Sequence, residues 1–153
     1  MELVVLVGVP ASGKSSFVRA HLASHRHVSK DLLGRSRADA RQRAAIEEGL
    51  RAGASVVVDN VNATAGDRAP LIALARSHGA RVVAYYFETR AADAVARNRG
   101  RTGAARVPDV AIYVAARRLQ PPSRAEGFDA LFRVRLRPEG SFDVTEAAAE
   151  PSA

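Results

Sequence analysis

The chain has 153 residues, 47% of them hydrophobic and 25% charged, and contains no cysteine. That length suits one domain with a core of its own, and the missing thiols exclude disulfides, Cys-bound zinc, iron–sulfur clusters and thiol nucleophiles. Lys and Arg number 23 against 16 Asp and Glu, a net charge of +7, and because no basic residue follows Arg137 the first 137 residues alone carry +11.

Such a body attracts polyanions, although 21 of the 23 basic residues are Arg, as GC-rich coding also produces. The longest apolar run, Leu3–Ala11, has nine residues, short of the ~18 a membrane span needs. Glu2 stands where a signal peptide would carry a positive charge. A soluble, cytoplasmic protein without a membrane partner is the expectation.

In chain order, Leu3–Val7 reads as a strand buried on both faces. Residues 14–25 follow as a helix carrying Phe17, Val18 and Leu22, and His27–Ser29 as a brief strand. Residues 37–51 predict a second helix stopped by Gly53. Ser55–Val58 is another buried strand, closed by Asp59. A third helix is expected over 67–78, with Pro70 in its first turn and Gly79 at its end. Arg81–Phe87 is a strand, Thr89 a cap for a helix to about Asn98, and Pro108 the start of a helix through Leu119. Leu131–Leu136 alternates apolar residues with arginine, as a sheet-edge strand does. Residues 138–153 read as a flexible tail, leaving 1–137 as the domain. Alternating strands and helices predict an α/β fold with a mainly parallel sheet flanked by helices.

Gly8-Val9-Pro10-Ala11-Ser12-Gly13-Lys14-Ser15 fits G-x-x-x-x-G-K-[ST] in full. It follows a buried strand and opens a helix, the context a phosphate-binding loop (P-loop) requires. Glycines let the backbone wrap an anion, and N–H groups and the helix dipole supply positive potential. Gly8, Ala11, Ser12, Gly13, Lys14, Ser15 and Ser16 are therefore the expected ATP-binding residues. Lys14 would reach the β and γ phosphates, and the Ser15 hydroxyl would ligate Mg²⁺. No [NT]-K-x-D surrounds either lysine, which argues against a conventional GTPase. A small P-loop protein of this size points to a kinase.

A kinase needs a base for its acceptor hydroxyl. Asp31 is the candidate, after a short strand and beside Lys30, although a helix-cap role fits its spacing too. Asp59, ending the next strand, reads as a Mg²⁺-linked carboxylate or as the start of an Asx turn with Asn60 and Asn62. Arg97, Arg99, Arg101 and Arg106 lie in a stretch, 94–108, without acid. They form either a solvated face or an Arg-rich lid over the transferring phosphate. His21 and His25 read as solvated helix positions.

These pieces occur in an order that resembles the P-loop kinase module of the polynucleotide 5′-kinases. The matching stretches are Gly8–Ser15, Val28-Ser29-Lys30-Asp31, Val58-Asp59-Asn60-Val61-Asn62, Arg97-Asn98-Arg99-Gly100-Arg101, Val107-Pro108, and Pro121-Pro122 leading to Glu126-Gly127-Phe128. The resemblance implies transfer of the ATP γ-phosphate to a 5′-hydroxyl of DNA or RNA. It makes Asp31 the general base and Arg97 and Arg101 the lid arginines, catalytic together with Lys14. Lys30, Arg35, Asp59 and Asn60 would face the acceptor, and Ser15 and Asp59 the metal. The chain departs from the family at Lys30, where Arg is common, at Val61 for Thr, and at Gly34, with Arg35 one residue later. A separate phosphatase or ligase partner would supply the rest of an end-repair reaction. The competing readings are a kinase for a small-molecule hydroxyl and a non-catalytic ATP-binding module of a repair or RNA-processing assembly.

Overall fold

The structure, a computed structural model, describes residues 1–33 and 36–147. Among the described residues six strands form one sheet: β1 (Glu2–Val7), β2 (Arg26–Val28), β3 (Val56–Asp59), β4 (Arg81–Phe87), β5 (Ala130–Leu136) and β6 (Phe142–Glu146). Their spatial order is β2-β3-β1-β4-β5-β6. All neighbours are parallel except β5 and β6, which pair antiparallel. Helices α1 (Lys14–His21), α2 (Lys30–Leu33), α3 (Ala38–Arg51), α4 (Ala65–Ser77), α5 (Ala91–Arg99) and α6 (Asp109–Arg118) join them, with short 3₁₀ turns at Gly103–Ala105 and Arg124–Glu126. This is the expected α/β fold.

The central strand is β1, whose residues Leu3–Val7 are fully buried. Alternation along it splits the core. Leu3, Val5 and Val7 pack with Ile46 and Leu50 of α3 and with Leu71, Ile72 and Leu74 of α4. Val4 and Leu6 pack with Phe17 and Val18 of α1 and with Leu22. A third cluster ties α5 and α6 (Ala94, Val95, Ile112) to Val9 and Ala11 of the loop after β1. The order of connection reverses at β1, since β2 and β3 lie on one side of it and β4 and β5 on the other, and at such a switch point the strand ends open a crevice for ligands. Among the described residues no helix is long and apolar enough to cross a membrane.

Four expectations are corrected. Helix α1 stops at His21, with Leu22 as C-cap. Helix α4 starts at Ala65 because Thr64 and Asp67 form a reciprocal capping box, which moves Pro70 into the helix interior. Arg90, not Thr89, is the N-cap of α5, and no side chain bonds there. Strand β5 is interior, and β6 is the edge, so residues 142–146 belong to the sheet rather than to a tail. Phe142 explains the last point: its ring packs edge-on against Phe17 at 5.3 Å and faces His21 at 5.9 Å. The part of the expected tail from 148 to 153 lies outside the described residues.

Candidate active site

The loop Gly8–Ser15 runs from the end of β1 to the start of α1. A Cβ at Gly8 would stand 2.9 Å from both Phe87 Cβ and Ser12 Oγ, so only glycine fits between loop and β4. Gly13, the N-cap of α1, has φ +97°, and Ala11 also has positive φ. These left-handed steps fold the backbone into the concavity that cradles anions. Ser12 Oγ is buried in this loop and has no hydrogen-bond partner among the described residues, an unmet polar group that suits a phosphate oxygen. Lys14 Nζ donates to the carbonyls of Gly8 and Val9, both at 2.8 Å. Burial, with a contribution from Arg101, lowers the Lys14 pKa to about 8, while Asp59 and Asp31 oppose the shift.

Beyond the loop, Ser15 Oγ donates to Asp59 Oδ2 at 2.8 Å, and His27 Nε2 meets the same oxygen at 2.8 Å. Asp59 is buried at the end of β3, and its carboxylate turns to these two side chains rather than closing an Asx turn. A hydroxyl and a carboxylate are hard oxygen donors of the kind Mg²⁺ takes when phosphates supply further ligands. Among the described residues no group of three or more His, Asp or Glu forms a cage for a metal. The donor set fits a Mg²⁺–nucleotide and not a stand-alone metal site.

A cleft of about 1130 Å³ opens over these groups. Ala11, Lys14, Ser15, Ser16, Lys30, Asp31, Asp59, Asn60 and Arg101 all line it, so most of the sequence-derived residues converge. Asp31 sits in α2, where Ser29 Oγ accepts from the Asp31 N–H at 3.2 Å. Ser29 is therefore the cap, and among the described residues nothing bonds the Asp31 carboxylate. Asn60 also has a structural role: its Oδ1 accepts from the Lys30 N–H at 3.0 Å, and its Nδ2 donates to Gln42 Oε1 at 2.6 Å. It ties α2 and α3 to the end of β3. Lys30 Nζ pairs with Asp39 at 2.6 Å.

The arginines expected to form a lid separate. Arg97 donates to the carbonyl of Ala11 at 2.8 Å, gripping the P-loop itself. Its side chain lines a second, smaller cavity with Tyr86, Glu88, Thr89 and Arg135. Arg101, past the end of α5, faces the main cleft. Arg99 pairs with Asp109 at 3.8 Å. Buried Asn98 staples the segment by bonding both the N–H and the carbonyl of Val107. Arg35 lies outside the described residues.

Sequence reasoning missed His27, Gln42, Arg118 and the pair Arg68–Glu126. Arg68 is 0% exposed, makes two bonds to the Glu126 carboxylate (2.8 and 3.0 Å), and donates to the carbonyls of Asn62 and Ala63. Asn62 Nδ2 in turn donates to the Leu6 carbonyl at 2.7 Å, and the Gly8 N–H bonds the Val61 carbonyl at 3.1 Å. A buried ion pair thus fixes the loop after Asp59, and that loop braces the P-loop. Its signal was a lone arginine three and four residues before Leu71 and Ile72, in an apolar helical stripe.

The AAA domain family matches residues 3–122 of the chain. Among solved structures the chain is similar to Kti12 of Chaetomium thermophilum in complex with ADP-AlF3, with 20% identity, TM-score 0.69, 87% of this chain and 88% of that one covered. It is also similar to a gluconokinase from Sinorhizobium meliloti 1021 (22% identity, TM-score 0.61, 88% and 82% covered). A chain of a Pnkp1/Rnl/Hen1 complex matches at 18% identity and TM-score 0.56, covering 99% of this chain and 47% of that one. At these identities the likeness is one of fold. Strand order, P-loop and the match over 3–122 place the chain in the AAA domain family, with a P-loop kinase-like fold.

Proposed function

We propose that the protein is an ATP-dependent phosphotransferase whose acceptor is the 5′-hydroxyl of a nucleic acid. The observation that carries this reading is the cleft itself, where the uncommitted carboxylate of Asp31 shares one opening with Lys14, Ser15 and Arg101. Asp31 takes the proton of the incoming hydroxyl. Lys14 leaves its loop carbonyls for the β and γ oxygens, and Arg101 approaches the phosphoryl group as charge spreads over it. Arg97 keeps the loop in shape through Ala11. Ser15 and Asp59 would hold Mg²⁺, which when bound offsets charge on the phosphate oxygens. A phosphatase or ligase on a separate chain is the class of partner that would work on the same ends.

Arg19, Arg43, Arg101 and Arg118 line the cleft beside Lys30, and they support an acceptor that carries phosphates. One observation favours the competing small-molecule hydroxyl: Lys30 and Arg118 are already paired with Asp39 and Asp67, at 2.6 and 3.6 Å. The experiment is labelled ATP with 5′-hydroxyl DNA and RNA oligonucleotides beside a panel of sugars, nucleosides and other alcohols. Labelled oligonucleotide ends are expected. Label moving only to a small alcohol would replace the acceptor, and no transfer to any acceptor would end the kinase reading.

A further inference from the structure

Three of the five large hydrophobic side chains that lie exposed among the described residues belong to α6: Val110 at 65%, Tyr113 at 49% and Val114 at 52%. Turning about 100° per residue, they share one stripe with Arg117. Ile112, Ala115, Ala116 and Leu119 on the opposite side pack against α5 and the P-loop. Every other described Phe or Tyr is buried or half-buried, so Tyr113 is the one exposed ring among the described Phe and Tyr residues. The guanidinium groups of Arg106 and Arg117 make no ion pair or hydrogen bond among the described residues. The sole acid of the helix, Asp109, is engaged by Arg99 and Asn98. At the next position around the helix, Arg118 lines the cleft. The stripe is therefore continuous with the reaction site, basic at its margins and apolar at its centre.

We propose that this face of α6 binds the body of a single-stranded nucleic-acid acceptor whose 5′ end lies in the cleft. Tyr113 stacks on a base, Val110 and Val114 cover apolar edges of the strand, and Arg106 and Arg117 meet its phosphates. Unpaired arginines favour a polyanion, and an exposed ring beside them is how proteins hold single strands without reading sequence. The inference rests on the nucleic-acid reading above.

The test measures binding without ATP, by fluorescence anisotropy, with a 5′-hydroxyl DNA or RNA strand of about twelve nucleotides, a length in the usual range of such sites. Tyr113→Ala should weaken binding about five-fold or more, and Tyr113→Phe should restore it because the ring remains. Arg117→Ala should reduce the salt slope of log K by about 0.7. In turnover, Tyr113→Ala should raise KM for the long strand more than it lowers kcat. Both side chains are exposed, and matching thermal melts establish that the variants fold. Equal affinity of parent and Tyr113→Ala, or a parent that does not bind the strand, overturns the proposal. So does an α6 variant that alters self-association while strand affinity stays intact, since the face is then a protein interface. A strand held through α6 but never phosphorylated sustains this surface and refutes the kinase reading instead.

Discussion

Lys14 is held by two carbonyls of its own loop, five and six residues back, whereas Asp31 reaches the same cleft from a four-residue turn secured by β3 and α3 through Asn60 and Gln42. The donor side is local: a strand, a loop and a helix in one stretch of chain, with its chemistry written mostly in backbone N–H groups. The proposed acceptor side is assembled from side chains distant in sequence. Backbone-built sites tolerate side-chain change in their surroundings but not a new Cβ at Gly8 or Gly13. Side-chain-built sites tolerate backbone drift but not loss of a partner. That difference decides where each half breaks.

The largest effect belongs to the donor side. Lys14→Met should reduce phosphoryl transfer by about 10²–10³-fold or more, as loss of one charge-stabilising donor does. The fold should survive, since the loop's shape rests on glycine dihedrals and on the Gly8–Val61 bond. Single-turnover rates alongside a thermal melt check both. Retained turnover with an intact melt would remove Lys14 from the chemistry.

Asp31→Asn comes next and breaks the other half. The shape stays and the Ser29–Asp31 turn is untouched, but the amide cannot accept a proton. Turnover should fall about 10²-fold or more with the ATP dissociation constant unchanged. If ATP binding falls along with turnover, Asp31 serves the donor side and the division between the two halves is drawn in the wrong place.

The same division explains what could be read in the sequence. Gly8–Ser15 is a contiguous pattern, so its strand, turn and helix were legible together, and the period of the buried runs gave the parallel core. The placement of Asp31 and Asp59 at the cleft was legible because β2 ends shortly before the one and β3 ends at the other. Arg68–Glu126 was not, because a pair 58 residues apart shows itself only when α4 docks. The Thr64–Asp67 box would have fixed the α4 boundary, and Pro70 outweighed it wrongly. Strand β6 was hidden by composition: its acidic, alanine-flanked sequence looks like a tail, and only the contact of Phe142 with Phe17 gives it a reason to pair. The bonds of Asn60 to Lys30 and Gln42 were not legible either, because they join residues 30 and 18 positions apart.

Proton linkage separates the halves by pH. Burial lowers Lys14 to about 8 from its ordinary value near 10.5, so the folded protein holds fewer protons than the unfolded chain between those values. The sign follows: the cost of burying this charge is fully present below about pH 8 and lifts as pH rises toward 10.5. Function runs the other way, because a neutral amine binds phosphate poorly. kcat/KM for ATP should drop up to about ten-fold per pH unit above the Lys14 pKa. kcat should hold to higher pH, since bound phosphates keep the amine charged. Lys14→Met should flatten both the stability change and the kinetic limb. An unaltered limb in the variant would assign it to another group.

The smallest expected effect bears on the residue where the two halves meet. Asp59 lies on the β3 strand, accepts from Ser15 on the donor side, and is held by His27 from β2, one strand away and four residues before Asp31. His27 contributes one hydrogen bond to a carboxylate that keeps another, so its loss should cost about 1–2 kcal/mol of positioning and not the whole site. His27→Ala should therefore raise the Mg²⁺ concentration for half-maximal activity about five-fold, since a loosely held carboxylate offers a poorer oxygen. His27→Gln, which can still donate, should recover part of it. Mn²⁺ binding to the ATP-loaded protein, followed by electron paramagnetic resonance, gives the same comparison without turnover. If His27→Ala instead raises KM for the acceptor while metal affinity stays level, Asp59 belongs with Asp31. The P-loop would then reach the metal through Ser15 alone.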